Sequence, residues 1–118
     1  MKAFFYLKTC STCKRILDTL DLPKTIELRE IKSKPITESE LEQLQSLTGS
    51  YEALFSKRAQ LYKSEGLKDK NLTEADFKHY ILQHYTFLKR PVLVHNGHIF
   101  IGNSVKTVDA AKEYISTI

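Results

Sequence analysis

The sequence predicts an α/β protein: a β-α-β unit, then a helical insert, then a β-β-α ending, with four strands in one mixed sheet. Three observations carry this reading. A short apolar run, Ala3-Phe4-Phe5-Tyr6-Leu7, stands just before a helical pattern. The alternating segment Ile26-Glu27-Leu28-Arg29-Glu30-Ile31 follows that helix. Near the other end, two apolar segments flank Asn96-Gly97, the strongest short signal for a hairpin turn.

Residues 2–7 read as a buried strand, with Lys8-Thr9 as the loop after it. A helix runs from about residue 11 to residue 20, with Ile16, Leu17 and Leu20 on one face. Pro23 breaks the pattern, and residues 26–31 alternate as a second strand. Strand, helix and strand in that order favour a parallel pair joined by a right-handed crossover. The middle is helical. Thr37 and Glu40 form a capping box ahead of Leu41, Leu44 and Leu47, and Gly49 ends that helix. Residues 51–55 and 58–64 read as short helices or turns. Thr73 with Asp76 opens a further helix that places Phe77, Ile81 and Leu88 near one face and runs to roughly residue 88. Residues 91–94 and 99–101 form the hairpin, and Asn103 or Ser104 caps a last helix with Val105, Val108 and Ile115 as its apolar positions.

There is no repeat, low-complexity tract or linker, so residues 1–118 read as one domain with a helical insert at about 37–88. This element order is what a thioredoxin-like fold needs, since that fold joins a parallel pair and an antiparallel pair in one four-stranded sheet.

The bulk properties agree. At 118 residues the chain has the length of one domain and needs no disulfide or metal staple to hold a core. A hydrophobic fraction of 42% and a charged fraction of 27% argue against disorder. The net charge of +4 comes from 18 basic and 14 acidic residues. It attracts anions, but the basic residues are scattered, the densest groups being Lys14-Arg15, Lys57-Arg58 and Lys89-Arg90. That pattern does not mark direct nucleic-acid binding. The apolar run at 3–7 falls short of the roughly 7–15 residues of a signal h-region and the roughly 20 of a membrane span. The expectation is a cytoplasmic protein without membrane association.

The chain has two cysteines, Cys10 and Cys13. A secreted scaffold spreads several pairs along its chain, whereas two thiols this close cannot staple distant segments. A local pair points to thiol chemistry or metal. A structural zinc takes four ligands; no further Cys exists, and His79, His84, His95 and His98 make no ligand pattern, so no metal is expected. His95 and His98 flank the hairpin turn and read as exposed polar residues.

Cys10-Ser11-Thr12-Cys13 lies between the first strand and the first helix. At a helix N-terminus a thiol meets unsatisfied N–H groups and the positive end of the dipole, and both favour thiolate. Cys10 is thereby the better nucleophile, and Cys13, one turn further in, can attack a mixed disulfide formed at Cys10. Lys14 and Arg15 add positive charge nearby. The bland alternative is a pair of cysteines packed in the core. Arg90-Pro91 is a second clue: Pro91 opens a strand, where a missing N–H is tolerated. In thioredoxin-like folds the corresponding proline is cis and faces the CxxC loop, which would set Arg90 close to Cys10. Otherwise Arg90 is a surface residue before an edge-strand proline.

Three segments in order resemble the arsenate reductase (ArsC) and Spx family. Phe5-Tyr6-Leu7-Lys8-Thr9-Cys10-Ser11-Thr12-Cys13-Lys14 is similar to its strand and catalytic loop, and Leu54-Phe55-Ser56-Lys57-Arg58-Ala59-Gln60-Leu61-Tyr62-Lys63 to its helical-insert motif. Lys89-Arg90-Pro91-Val92-Leu93-Val94, followed by Ile101-Gly102, is similar to its Arg-Pro strand. The resemblance implies that Cys10 attacks an oxyanion or a disulfide and that Arg58 and Arg90 bind the anion. It also implies that no cofactor is bound, with glutathione as a co-substrate and glutaredoxin or thioredoxin as a partner. Two features depart from the arsenate reductases. They use a third Arg in or after the final hairpin, where this chain has Ile101-Gly102-Asn103-Ser104 and Lys106 as the nearest cation. The glutathione-linked enzymes also do without the second cysteine, which is typical of Spx-type regulators that sense thiol stress and bind RNA polymerase. Two expectations follow: a thiol-dependent oxidoreductase with Cys10 as nucleophile and Cys13 resolving, or an Spx-type redox-sensing regulator.

Overall fold

The computed structural model describes residues 1–118 and divides into two compact units, Met1–Lys34 with Arg90–Ile118, and Pro35–Lys89. The first unit holds β1 (Lys2–Tyr6), α1 (Ser11–Leu20), β2 (Glu27–Glu30), β3 (Val92–His95), β4 (His98–Ile101) and α5 (Val105–Thr117). The second holds α2 (Glu38–Thr48), α3 (Gln60–Ser64) and α4 (Glu74–Gln83), with 3-10 turns at Glu52–Leu54, Leu67–Asp69 and Tyr85–Phe87.

In the first unit the strands lie in the order β2-β1-β3-β4. β1 pairs parallel with β2, Phe4 opposite Leu28, and antiparallel with β3, Phe4 opposite Leu93. β3 and β4 form the antiparallel hairpin, Leu93 opposite Phe100. This mixed sheet is thioredoxin-like. The hairpin turns through Asn96 and Gly97, whose φ values of 45° and 88° match the left-handed turn that suits the strand twist. Phe4, Ile16, Leu20, Ile26, Leu93 and Ala111 form one buried cluster, so α1 and α5 lie on the same sheet face. Fully burying an aliphatic or Phe side chain contributes about 1.5–3 kcal/mol, which is why the apolar stripe of α1 and the residues of β1 and β3 decide this packing.

Burial in this unit departs from the simple apolar-in, polar-out pattern at three places. In β2 the charged Arg29 is only 4% exposed, while Leu28, opposite the buried Phe4, is 51% exposed. β2 is the sheet edge, and Arg29 shares a face with its register partner Phe5. Its guanidinium carbon stands 5.7 Å from the Phe5 ring centroid, and its Nε donates to the Lys34 carbonyl at 3.1 Å. A cation over an aromatic face, with its Nε donor engaged, tolerates burial. His95 is likewise buried rather than exposed. Strand alternation turns it toward α5, where its Nδ1 is 2.7 Å from the Tyr114 hydroxyl; His98 stays exposed, its ring 4.5 Å from that of Tyr114. Val105, read as an apolar position, is 77% exposed, because the packed stripe of α5 runs through Val108, Ala111 and Ile115 instead.

In the second unit both capping boxes are present, Thr37 with Glu40 on α2 and Thr73 with Asp76 on α4. The helix expected to reach residue 88 stops at Gln83. His84 is extended, and its Nδ1 accepts from the Thr86 N–H at 3.1 Å, which starts the 3-10 turn at Tyr85. An imidazole acceptor competing with the helix ladder has no signature in apolar periodicity. Phe55 organises the unit's interior: its ring stacks on Phe87 at 5.3 Å, tilts against Phe77 at 4.9 Å and meets the edge of Tyr62 at 5.8 Å. Around it, the Ser56 N–H donates to the Phe87 carbonyl at 2.7 Å and the Lys89 N–H to the Leu54 carbonyl at 2.8 Å. The Glu74 carboxylate accepts from the Tyr51 and Glu52 N–H groups at 2.7 and 3.1 Å, tying α4 to the first 3-10 turn. No helix is long and apolar enough to cross a membrane.

Phe55→Ala removes the ring on which three others pack. It is expected to lower unfolding free energy by about 3–5 kcal/mol, read as a fall in the urea midpoint.

Candidate functional site

The candidate site begins where β1 ends. Lys8 and Thr9 turn the chain, closed by the Cys10 N–H donating to the Leu7 carbonyl at 3.0 Å. Cys10 is the N-cap of α1, in extended conformation, and its sulfur accepts from the Cys13 N–H at 3.4 Å. The Cys10 carbonyl accepts from the Lys14 N–H at 3.1 Å, the first helical bond. A thiolate in this position occupies the place usually held by a Ser or Asp side-chain oxygen. The first turn of α1 carries no acidic residue to oppose it.

The two thiols differ. Cys10 is partly exposed and Cys13 fully buried, and both are reduced. Burial pushes the Cys10 thiol up, but the Cys13 N–H and S–H, the Arg90 charge and the Thr12 N–H outweigh it, and the pKa falls below the ordinary thiol value. Burial pushes Cys13 up to about 11, reinforced by its hydrogen bond to Cys10 and the repulsion of the neighbouring thiolate, against a smaller pull from the Leu7 backbone and Arg90. Cys10 is thereby the more readily ionised of the two thiols, and the one behind it stays protonated at neutral pH.

Arg90 is half-buried, with its Nε shielded from solvent, and its charge acts on both thiols. It precedes a cis peptide bond to Pro91, which is buried and whose carbonyl accepts from the Gly102 N–H at 2.9 Å. Cys10, Cys13 and Arg90 thus belong to the same unit, and the Arg90 charge is felt at both sulfurs. Arg58 lies exposed on a turn in the second unit. Lys14 and Arg15 point into solvent, as does Lys106 in the first turn of α5. No three His, Cys, Asp or Glu side chains converge to hold a metal ion.

One residue at this site carried no sequence signal. Glu30, read only as a charged position in an alternating strand, accepts from the Lys8 N–H at 2.8 Å, two residues before Cys10. Its other oxygen accepts from the Ser33 N–H and hydroxyl, both at 2.8 Å, and from the Lys32 N–H at 3.1 Å. Slight burial raises the Glu30 carboxyl, but these donors outweigh it and its pKa is lowered.

Solved structures share this architecture. An ArsC family related protein from Bacteroides fragilis is 25% identical, superposes with a TM-score of 0.77, and covers 94% of this chain and 98% of its own. The arsenate reductase from Vibrio cholerae, at 21% identity, has a TM-score of 0.70 with 95% and 97% covered. An arsenate reductase (ArsC) related protein from Brucella melitensis, at 20% identity, has a TM-score of 0.69 with 93% of each chain covered. The last two likenesses concern the fold. A comparison with curated proteins finds no match. The model of the ArsC family matches residues 5–111, from the middle of β1 to the buried Ala111 of α5. The chain belongs to the ArsC family.

Proposed function

We propose that this protein is a thiol-dependent oxidoreductase resembling the arsenate reductases, acting on a small oxyanion or a disulfide. The observation that carries the reading is the Cys10 sulfur at the head of α1, with a lowered pKa, backed by a protonated Cys13. Membership of the ArsC family supports an oxyanion substrate and thiol partners in general.

With arsenate, the Cys10 thiolate displaces one arsenate oxygen as water and forms an S–As bond. Cys13, after giving up its proton, attacks the Cys10 sulfur. The S–S bond forms, the S–As bond breaks, and its electron pair leaves with arsenic as arsenite. Arsenic gains two electrons and the thiol pair loses two. With a disulfide substrate, Cys10 and Cys13 attack in the same order and two substrate thiols depart. A thiol donor such as glutathione, glutaredoxin or thioredoxin then reduces the Cys10–Cys13 disulfide. Arg90 neutralises the anion and the thiolate, since a guanidinium group offers planar, permanently charged donors. Lys106 is the nearest cation where arsenate reductases use a third Arg, which favours a site with weaker arsenate affinity or a different oxyanion.

Three measurements test the reading. Alkylation of the reduced protein against pH, followed by mass spectrometry, is expected to show Cys10 reacting with a midpoint below the ordinary thiol value and Cys13 titrating near 11. The sign follows from the thiolate being the reactive form: the Cys10 rate climbs with pH and levels off once the lowered pKa is passed. Equal rates at both thiols near neutrality would remove the assignment.

Arg90→Ala is expected to raise the Cys10 pKa, because a nearby positive charge favours the ionised form. It should also weaken sulfate or arsenate binding by about 1.5–3 kcal/mol, the scale of a hydrogen bond to a charged group. Arg90→Lys should restore the pKa but not the bidentate contact. If both properties survive Arg90→Ala, Arg90 has no part in the site.

The substrate is tested by incubating the protein with arsenate, glutathione and glutaredoxin beside an RNA polymerase pull-down. Arsenite formation, lost in Cys10→Ala, is expected. No arsenite together with stoichiometric capture of polymerase would favour the Spx-type regulator instead.

A further inference from the structure

Glu30 is the last residue of β2, and its carboxylate joins two segments. One oxygen serves the Lys8 N–H on the turn that delivers Cys10; the other serves Lys32 and Ser33 beyond the strand. The backbone pairs the two strands up to Tyr6 opposite Glu30, and just beyond it the Ile31 N–H donates to the Tyr6 carbonyl at 3.0 Å. Beyond Tyr6, β1 has ended, and the chain must still travel to the head of α1 in one geometry. The Cys10 sulfur caps α1 only if residues 8–10 hold their turn, because the cap distance depends on where the Cys10 Cα sits. A carboxylate is well suited to hold them. It accepts at both oxygens, so donors from two segments converge on it, whereas a Gln amide would set its own N–H donors against one of them.

We propose that Glu30 is a positioning residue for Cys10, fixing the turn at residues 8–10 so that the sulfur stays over the Cys13 N–H. The inference rests on Cys10 being the reactive thiol, and it extends the site to a residue that touches neither sulfur nor substrate. Its sign is distinctive. A carboxylate acting only by its charge disfavours a thiolate, so removing it lowers the Cys10 pKa. A carboxylate that holds the cap in place does the opposite, and removing it raises the Cys10 pKa.

The test uses the reduced full chain as wild type, Glu30→Ala and Glu30→Gln. Iodoacetamide alkylation of Cys10 is followed against pH, and amide hydrogen exchange is followed at Lys8. In Glu30→Ala the Lys8 amide is expected to lose protection, the Cys10 midpoint to move upward, and the alkylation rate at pH 7 to fall about threefold or more. Glu30→Gln should show both effects at smaller amplitude. A midpoint that stays put or moves downward in a variant with a cooperative melt overturns the proposal, and if Glu30→Ala does not fold, Glu30→Gln is judged by the same criterion. The wild-type profile alone tests whether Cys10 is the activated thiol, and the difference between wild type and variant tests Glu30. Neither requires arsenate, so the substrate reading stands or falls separately.

Discussion

A sulfur atom caps the first helix of this protein, and the chemistry of the candidate site depends on that contact. The N-terminal turn of a helix presents N–H groups with no partner in the helix and the positive end of its dipole. The usual cap is a hydroxyl or carboxylate oxygen. With Cys10 in that place, the protein gives the cap's stabilisation to an ionisable thiol, and the preference of the helix terminus for negative charge becomes a preference for thiolate. The surrounding sheet places the helix: Phe4, Ile16, Leu20 and Leu93 pack α1 against β1 and β3, which sets the helix terminus near the end of β1, while the turn between them is held by its own contacts.

The same arrangement separates two chemically identical residues. Cys10 and Cys13 lie one turn apart, yet one is pushed below the ordinary thiol value and the other up to about 11. Burial penalises a thiolate at both; only Cys10 has the helix-terminal donors to overcome it, and once Cys10 is ionised its charge and its acceptance of the Cys13 S–H hold the second thiol protonated. Two thiols whose acidities are pushed in opposite directions are the arrangement that the proposed two-step exchange calls for, since the second thiol must wait until the first has reacted. Arg90, delivered by the strand that pairs with β1, favours the thiolate at both positions and so shifts the pair together rather than separating it.

Much of the fold was legible because its signals are local. The capping boxes at Thr37 and Thr73, the Asn96-Gly97 turn and the helical spacing of Ile16 and Leu20 each follow from contacts within a few residues, and each stands where the sequence puts it. The end of α4 at Gln83, the buried His95 and the buried Arg29 of β2 were not legible. Each is decided by a partner distant in sequence or by a side chain whose role is ambiguous: Tyr114 for His95, Phe5 for Arg29, the imidazole of His84 for the helix end. Alternation marked β2 without fixing its burial, because a charged side chain over an aromatic ring can be buried while an apolar one on an edge strand stays in water.

By itself the sequence determined the mixed sheet, the insert between β2 and β3, and the placement of a thiol pair at a strand-to-helix junction, because spacing and turn chemistry act over short stretches of chain. Only the tertiary structure decided that the Cys10 sulfur takes the cap and that the Arg90 charge acts on both thiols. It alone decided, too, that a carboxylate on β2 ties down the turn before Cys10. That last contact joins residues 22 positions apart, Lys8 and Glu30. Its partners are chosen by how the sheet aligns its strands, which no local pattern records.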